Sequence, residues 1–159
     1  MENLLQLQYQ NIQGARDALF SYCSNMASAH LFKPVAEFNN NTIVSLMVHS
    51  ANTYLHWLVF FDTQHPVEYF NDEDIKSIEQ IRAIYQKIDE QVAMFLDKYK
   101  ADYTQPITQY PRSRKALLNT TPLQLFTHVI THEFHHKGQI LTMSRLMGYI
   151  PADTDVIRT

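Results

Sequence analysis

The sequence predicts an all-α protein, a four-helix bundle with a long loop before its last helix. Three observations lead there. Glycine occurs 3 times in 159 residues, too sparsely for a turn-rich β architecture. Apolar residues recur at helical intervals in four separate segments. Capping and breaking residues bracket those segments.

The first helix is predicted over about residues 3 to 28, from the recurrence of Leu5, Tyr9, Ile12, Leu19, Cys23 and Met26. Asn39, Asn40, Asn41 and Thr42 then offer cap side chains for a second helix. Its stripe is Leu46, His49, Thr53, Trp57 and Phe60, and Pro66 marks its end. Asn71 followed by Asp72-Glu73-Asp74 predicts the third start, a cap side chain with acids at the positive end of the dipole. The third stripe is the most regular. Ile78, Ile81, Tyr85, Ile88, Val92, Phe95 and Tyr99 alternate in steps of 3 and 4, the seam of left-handed helix packing. Residues 101 to 119, with Pro106 and Pro111, hold no sustained period and predict a loop long enough to wall a site. Thr121-Pro122-Leu123-Gln124 supplies a cap, a proline in the first turn and a capping-box Gln. The fourth stripe is Leu125, Val129, His132, His136, Ile140, Met143 and Met147, and Gly148 closes the helix. No convincing strand is read anywhere.

Length predicts one domain over 1–159. With 45% hydrophobic and 18% charged residues, the chain can bury a core without disulfides. The formal charge of −3, with Lys and Arg scattered, excludes a nucleic-acid stripe. Cys23 is the single cysteine, which excludes an intramolecular disulfide and fits a reducing compartment. It falls in an apolar helical pattern and reads as a buried thiol. No apolar run reaches membrane-span length and no signal segment is read, so no membrane partner and a cytoplasmic location are expected.

The chemistry concentrates in His132-Glu133-Phe134-His135-His136-Lys137-Gly138-Gln139. His132 and His136 are four apart, so on a helix both imidazoles share one face, as two ligands of one ion must. A catalytic zinc site usually takes three protein ligands and keeps one position open. His49, on the second stripe, is the expected third, placed inside the bundle. His56 is nearly on the same face and stays open as a rival, as do His128 and His135 on the fourth helix. His30 and His65 fall in predicted loops and read as solvated. Glu133 is a candidate to orient a ligand imidazole, to act as a base, or to lie at the surface. Gln139 shares the face of the pair and could bond a metal-bound water or a ligand histidine. Gly138 suggests close helix approach, room for a ligand, or a tolerated surface glycine.

The H-E-x-x-H spelling also matches a zinc-protease helix. That reading fails, because no His or Glu follows His136 to complete the set.

The run from Thr127 to Gln139 resembles the last-helix signature of the DinB-like superfamily, H-V-x-x-H-x-x-x-H-[RK]-G-Q. Leu46 to Trp57 resembles that family's upstream histidine block, and Gly148 to Asp155 is similar to its tail. The resemblance implies an antiparallel four-helix bundle, often a homodimer. It implies a divalent metal ion, commonly zinc or nickel, held by His49, His132 and His136. Relatives include transferases and isomerases that use a low-molecular-weight thiol such as mycothiol or bacillithiol; others are described as metal-dependent hydrolases. The expected function is therefore a metal-dependent enzyme that activates water or a thiol against a small-molecule substrate, a hydrolase or a thiol S-transferase. The alternative is a non-catalytic metal-binding or dimeric stress-related bundle, which a fourth protein ligand such as His56 or His128 would favour. Tyr103, Tyr110, Arg112 and Arg114 in the long loop are candidate substrate contacts, the arginines for a carboxylate.

Overall fold

A computed structural model describes residues 3–112 and 116–158. Arg114 lies outside the described residues.

The protein is mostly helical, with one small two-stranded sheet. Helix α1 spans Leu4–Ser24, capped by the Asn3 side chain. It ends four residues before the expected position. Near its end, Ser24 Oγ donates to the Phe20 carbonyl and Asn25 Nδ2 to the Ser21 carbonyl, and such side-chain bonds compete with the helical ladder. The chain restarts as a single turn, α2, Ser28–Leu31. Helix α3 spans Ile43–Tyr54 behind a reciprocal Thr42/Ser45 capping box. Its last part, Leu55–Phe61, widens into a π-helix.

Helix α4 spans Ile78–Lys98 and is capped by Ser77. Asn71, the expected cap, instead caps a single 3-10 turn over Asp72–Asp74. All seven stripe residues of α4 are buried. The long loop is not wholly irregular. Strand β1, Ile107–Gln109, pairs antiparallel with β2, Leu118–Thr120, with Ile107 opposite Thr120. Three residues per strand leave no room for an alternation to register in the sequence.

Helix α5 spans Pro122–Leu146 behind the Thr121 cap. Gln124 does not reach back to the cap; its Oε1 accepts from Thr120 Oγ1 at 3.1 Å. At the far end the Tyr149 N–H bonds the Ser144 carbonyl and the Gly148 N–H bonds the Arg145 carbonyl. That Schellman closure needs a left-handed residue, and Gly148 supplies it at φ 88°.

Helix α3 packs against α4 and α5, and α1 packs against the same two. One apolar cluster joins them, with Leu19, Phe20, Met47, Phe61, Ile88 and Met143 among its members. Cys23 is fully buried within it, and burial pushes its thiol up to about 12, so it packs as an inert hydrophobe. Among the described residues no helix is long and apolar enough to cross a membrane.

The core also holds a charge network. Arg16 of α1 is 5% exposed and Glu133 of α5 is 8% exposed, so their pairing decides whether the core tolerates them. Arg16 Nε donates to Glu133 Oε1 at 2.8 Å and its Nη2 to Oε2 at 3.0 Å. Tyr54 OH donates to the same Oε2 at 2.5 Å. Arg16 Nη1 donates to Asp89 at 2.7 Å, and the guanidinium lies 4.4 Å from the Tyr85 ring centre. Burial works against the Arg16 charge, but Glu133 outweighs it and the guanidinium stays firmly protonated. Among the described residues no buried side-chain polar atom lacks a partner.

Breaking a buried ion pair by removing one member costs about 3–5 kcal/mol, because the other charge is stranded. Arg16→Met is therefore expected to lose stability of that order in urea unfolding. Arg16→Met combined with Glu133→Leu should lose less than the single variant. A double variant that loses more would show that the stranded carboxylate is not the cause.

Candidate metal centre

Two helices build the site. The four-residue spacing on α5 stacks His132 over His136, and α3 brings His49 against them. His132 Nε2 lies 3.1 Å from His49 Nε2 and 3.0 Å from His136 Nε2. The ligand nitrogens of these three histidines all lie within 4.8 Å of one another, a group that could hold a metal ion. Three nitrogens each roughly 2.1 Å from one ion stand roughly 3.4 Å apart, so the two spacings at His132 match an ion's after opening by a few tenths of an ångström.

The protonation states suit that role. Burial, helped by the neighbouring His136, His49, His128 and His135, pushes His132 down to about 4. Partial desolvation against its neighbours also lowers His49, even though the residue lies at the surface. It lowers His136 as well, against the opposing effect of Gln139. All three are neutral at pH 7, so their lone pairs are free. Gln139 Oε1 lies 2.6 Å from His136 Nδ1. A carbonyl oxygen can only accept, so the His136 proton sits on Nδ1 and the Nε2 lone pair faces the cluster.

His49 is not inside the protein as expected. It is exposed, His132 is half-buried and His136 is buried. Helix α3 buries most of its side chains, but Ser45, His49, Asn52 and His56, spaced 4, 3 and 4, form an open polar edge. The cluster sits on that edge, facing solvent.

A cavity of about 370 Å³ opens from His49 and His132, walled by Asn52, Thr53, His56, Trp57, Tyr69 and His128. The rival histidines belong to these walls. His56 Nδ1 lies 3.2 Å from Tyr69 OH and its ring stacks on Phe60. The His128 ring meets Trp57 edge-on at 5.1 Å. Burial lowers both, with Arg112 and His128 adding to the effect at His56. His135 is exposed beside His136, outside the cluster. His65 is exposed as expected, but His30 is not merely solvated, since its Nδ1 lies 2.9 Å from Tyr149 OH.

Gln139 sits where the sequence placed it. Glu133 does not orient a ligand imidazole: both its oxygens bond Arg16 and Tyr54 in the core. Gly138 is exposed and a Cβ there would meet nothing within 4 Å, so it serves no close helix approach. Among the described loop candidates, Arg112 meets a cavity wall, with its guanidinium 5.1 Å from the Tyr69 ring centre. Tyr103 is tied elsewhere, bonding the Leu96 carbonyl and Asn3. Tyr110 is exposed.

Sequence reasoning passed over Asn52 and Tyr69, which line the cavity, and Lys137. Lys137 is buried, lies over the Phe134 ring and donates to the Thr154 carbonyl at 2.6 Å, tying the tail to α5. The polar 4-3-4 edge of α3 was the available signal for Asn52.

A mostly helical fold carrying a three-histidine group on facing helices defines a candidate metal-binding helical protein. The chain belongs to the DinB family, whose family model matches residues 1–159. Over 82 residues it is 30% identical to Protein DinB of Bacillus subtilis (strain 168), a match covering 52% of this chain and 46% of that protein. The chain thus spans about half the length of the curated relative it matches.

Two outcomes follow. Gln139→Leu is expected to weaken metal binding by about 10–100-fold, read by competition with a chromophoric chelator. Unchanged affinity would mean that the amide does not set the His136 tautomer. The metal-free protein should lose stability as pH falls from 6.5 toward about 4, because in that window the unfolded imidazoles bind protons that the folded ones refuse. Urea midpoints across that range should flatten in His132→Asn; an unchanged slope would contradict the lowered His132.

Proposed function

We propose that the protein binds one divalent metal ion, zinc or nickel, through His49, His132 and His136, and uses it to activate water or a low-molecular-weight thiol. The reaction is hydrolysis or thiol S-transfer on a small-molecule substrate. The observation that carries this reading is the convergence of three neutral imidazoles on one point, beside a cavity of about 370 Å³. A bound divalent ion supplies positive charge that brings the pKa of a water or thiol toward neutrality.

The chain's own residues do the rest. Neutral ligands leave the ionic charge undiminished. Gln139 holds the His136 proton away from the cluster. Trp57 and Tyr69 offer ring surface to an apolar substituent. His56 and His128, both kept neutral, stand on the cavity wall as proton acceptors. Among the described residues the group that could hold an ion comprises His49, His132 and His136 without His56 or His128, and a set of three leaves a position open. This favours a catalytic over a purely structural ion. The π-helical Leu55–Phe61 segment, which carries His56 and Trp57, fits the same reading, since such windings gather at functional sites.

The wider reading follows the family resemblance: a single-domain antiparallel four-helix bundle, acting as a cytoplasmic homodimer without nucleic acid.

Metal analysis of the purified protein tests the site. Near-stoichiometric metal is expected, lost in each of His49→Ala, His132→Ala and His136→Ala. Full metal retention in His49→Ala would reject the three-histidine set. Esterase and thiol-transferase assays on the loaded protein then separate the two chemistries, and activity should vanish with the metal.

A further inference from the structure

Two cavities flank the segment that follows α3. The smaller, about 370 Å³, opens on the histidine cluster. The larger, about 730 Å³, lies between α4 and the 66–75 segment and is lined by Leu55, Val59, Val67, Ile75, Ile84 and Lys87 among others. Among the described residues one residue lines both, Tyr69. Within the π-helical segment, Leu55 lines the larger cavity and His56 the smaller.

Tyr69 is held in place from three sides. Asn52 clamps the next residue at two points: its Nδ2 donates to the Phe70 carbonyl at 2.8 Å and its Oδ1 accepts from the Phe70 N–H at 2.9 Å. Tyr69 OH lies 3.2 Å from His56 Nδ1, and the Arg112 guanidinium covers its ring at 5.1 Å. A side chain so anchored is a wall rather than a mobile flap.

We infer that Tyr69 is the length-limiting wall of the substrate site. It confines the group bound at the metal to a compact, partly apolar substituent that fills the small cavity against Trp57 and Tyr69. It excludes long-chain substituents, which would otherwise reach the apolar part of the larger cavity's mixed lining, Leu55, Val59 and Ile84. The Arg112 guanidinium lies over the Tyr69 ring and so stiffens the wall. This inference rests on the proposed metal site.

The test uses the full chain loaded with Co²⁺, whose thiolate absorption band reports ligand binding without any turnover. Alkanethiols from ethyl to octyl are titrated into the wild type, Tyr69→Ala and Tyr69→Phe. In the wild type, affinity should rise with chain length only until the small cavity is full and then stop rising. Tyr69→Ala should remove that ceiling, binding octanethiol about tenfold or more tighter than the wild type does, since each further buried methylene adds affinity. Tyr69→Phe keeps the ring and should keep the ceiling. An unchanged cobalt spectrum before thiol addition certifies that each variant retains the site.

Wild type and Tyr69→Ala with the same chain-length profile would overturn the wall while leaving the metal site standing. Cobalt that binds but shows no thiolate band in any variant would overturn thiol activation, and with it this inference.

Discussion

The bidentate bond between Arg16 and Glu133 is the constraint on which the site's geometry rests. Glu133 lies one residue from His132 and three from His136. Successive helical residues are turned by about 100°, so seating Glu133 in the core fixes where both histidines point. With its carboxylate held by Arg16 and Tyr54, α5 cannot rotate without stranding a buried charge. His132 and His136 are thereby aimed along the α3 interface. The three consecutive functions on this helix are separated by direction: Glu133 inward, His132 and His136 toward α3, His135 outward.

Helix α3 answers with an edge rather than a face. Its apolar residues commit to the core almost all the way round, leaving Ser45, His49, Asn52 and His56 as one polar line. His49 meets the α5 pair on that line, and Asn52 fastens the following segment to it. The same line therefore builds the donor set, one wall of the cavity and the support of the opposite wall. Its openness leaves the cluster facing solvent, while His136, the most buried of the three, meets Gln139 from within α5.

Much of this was legible in the chain because repetition leaves a record. The α4 stripe from Ile78 to Tyr99 is buried at every position, and Thr121-Pro122 and Gly148 bound α5 through local geometry that needs no tertiary context. The three histidines singled out by spacing and resemblance are the three that converge. What escaped depends on partners far away in sequence. Arg16 left only a gap between Ile12 and Leu19 in an apolar stripe, and that gap says nothing of Glu133, 117 residues later. Glu133 looked like a ligand's helper because it adjoins His132, yet adjacency on a helix means divergence. His49 fits an inward stripe equally well as an outward edge, and packing decided between them. Asn71 carries every local mark of a cap, but the chain spends it on a single turn, and Ser77 starts the helix. The β1–β2 pair is too short to leave a period at all.

The central claim is that His49, His132 and His136 hold one ion and leave a position open. X-ray absorption at the metal edge of the loaded protein tests it most directly. The account predicts three imidazole nitrogens at about 2.0–2.1 Å for zinc, together with a light-atom ligand that is replaced by sulfur when a small thiol is added. A shell of four protein ligands that no added thiol disturbs, or an ion bound without imidazole scattering, would contradict it.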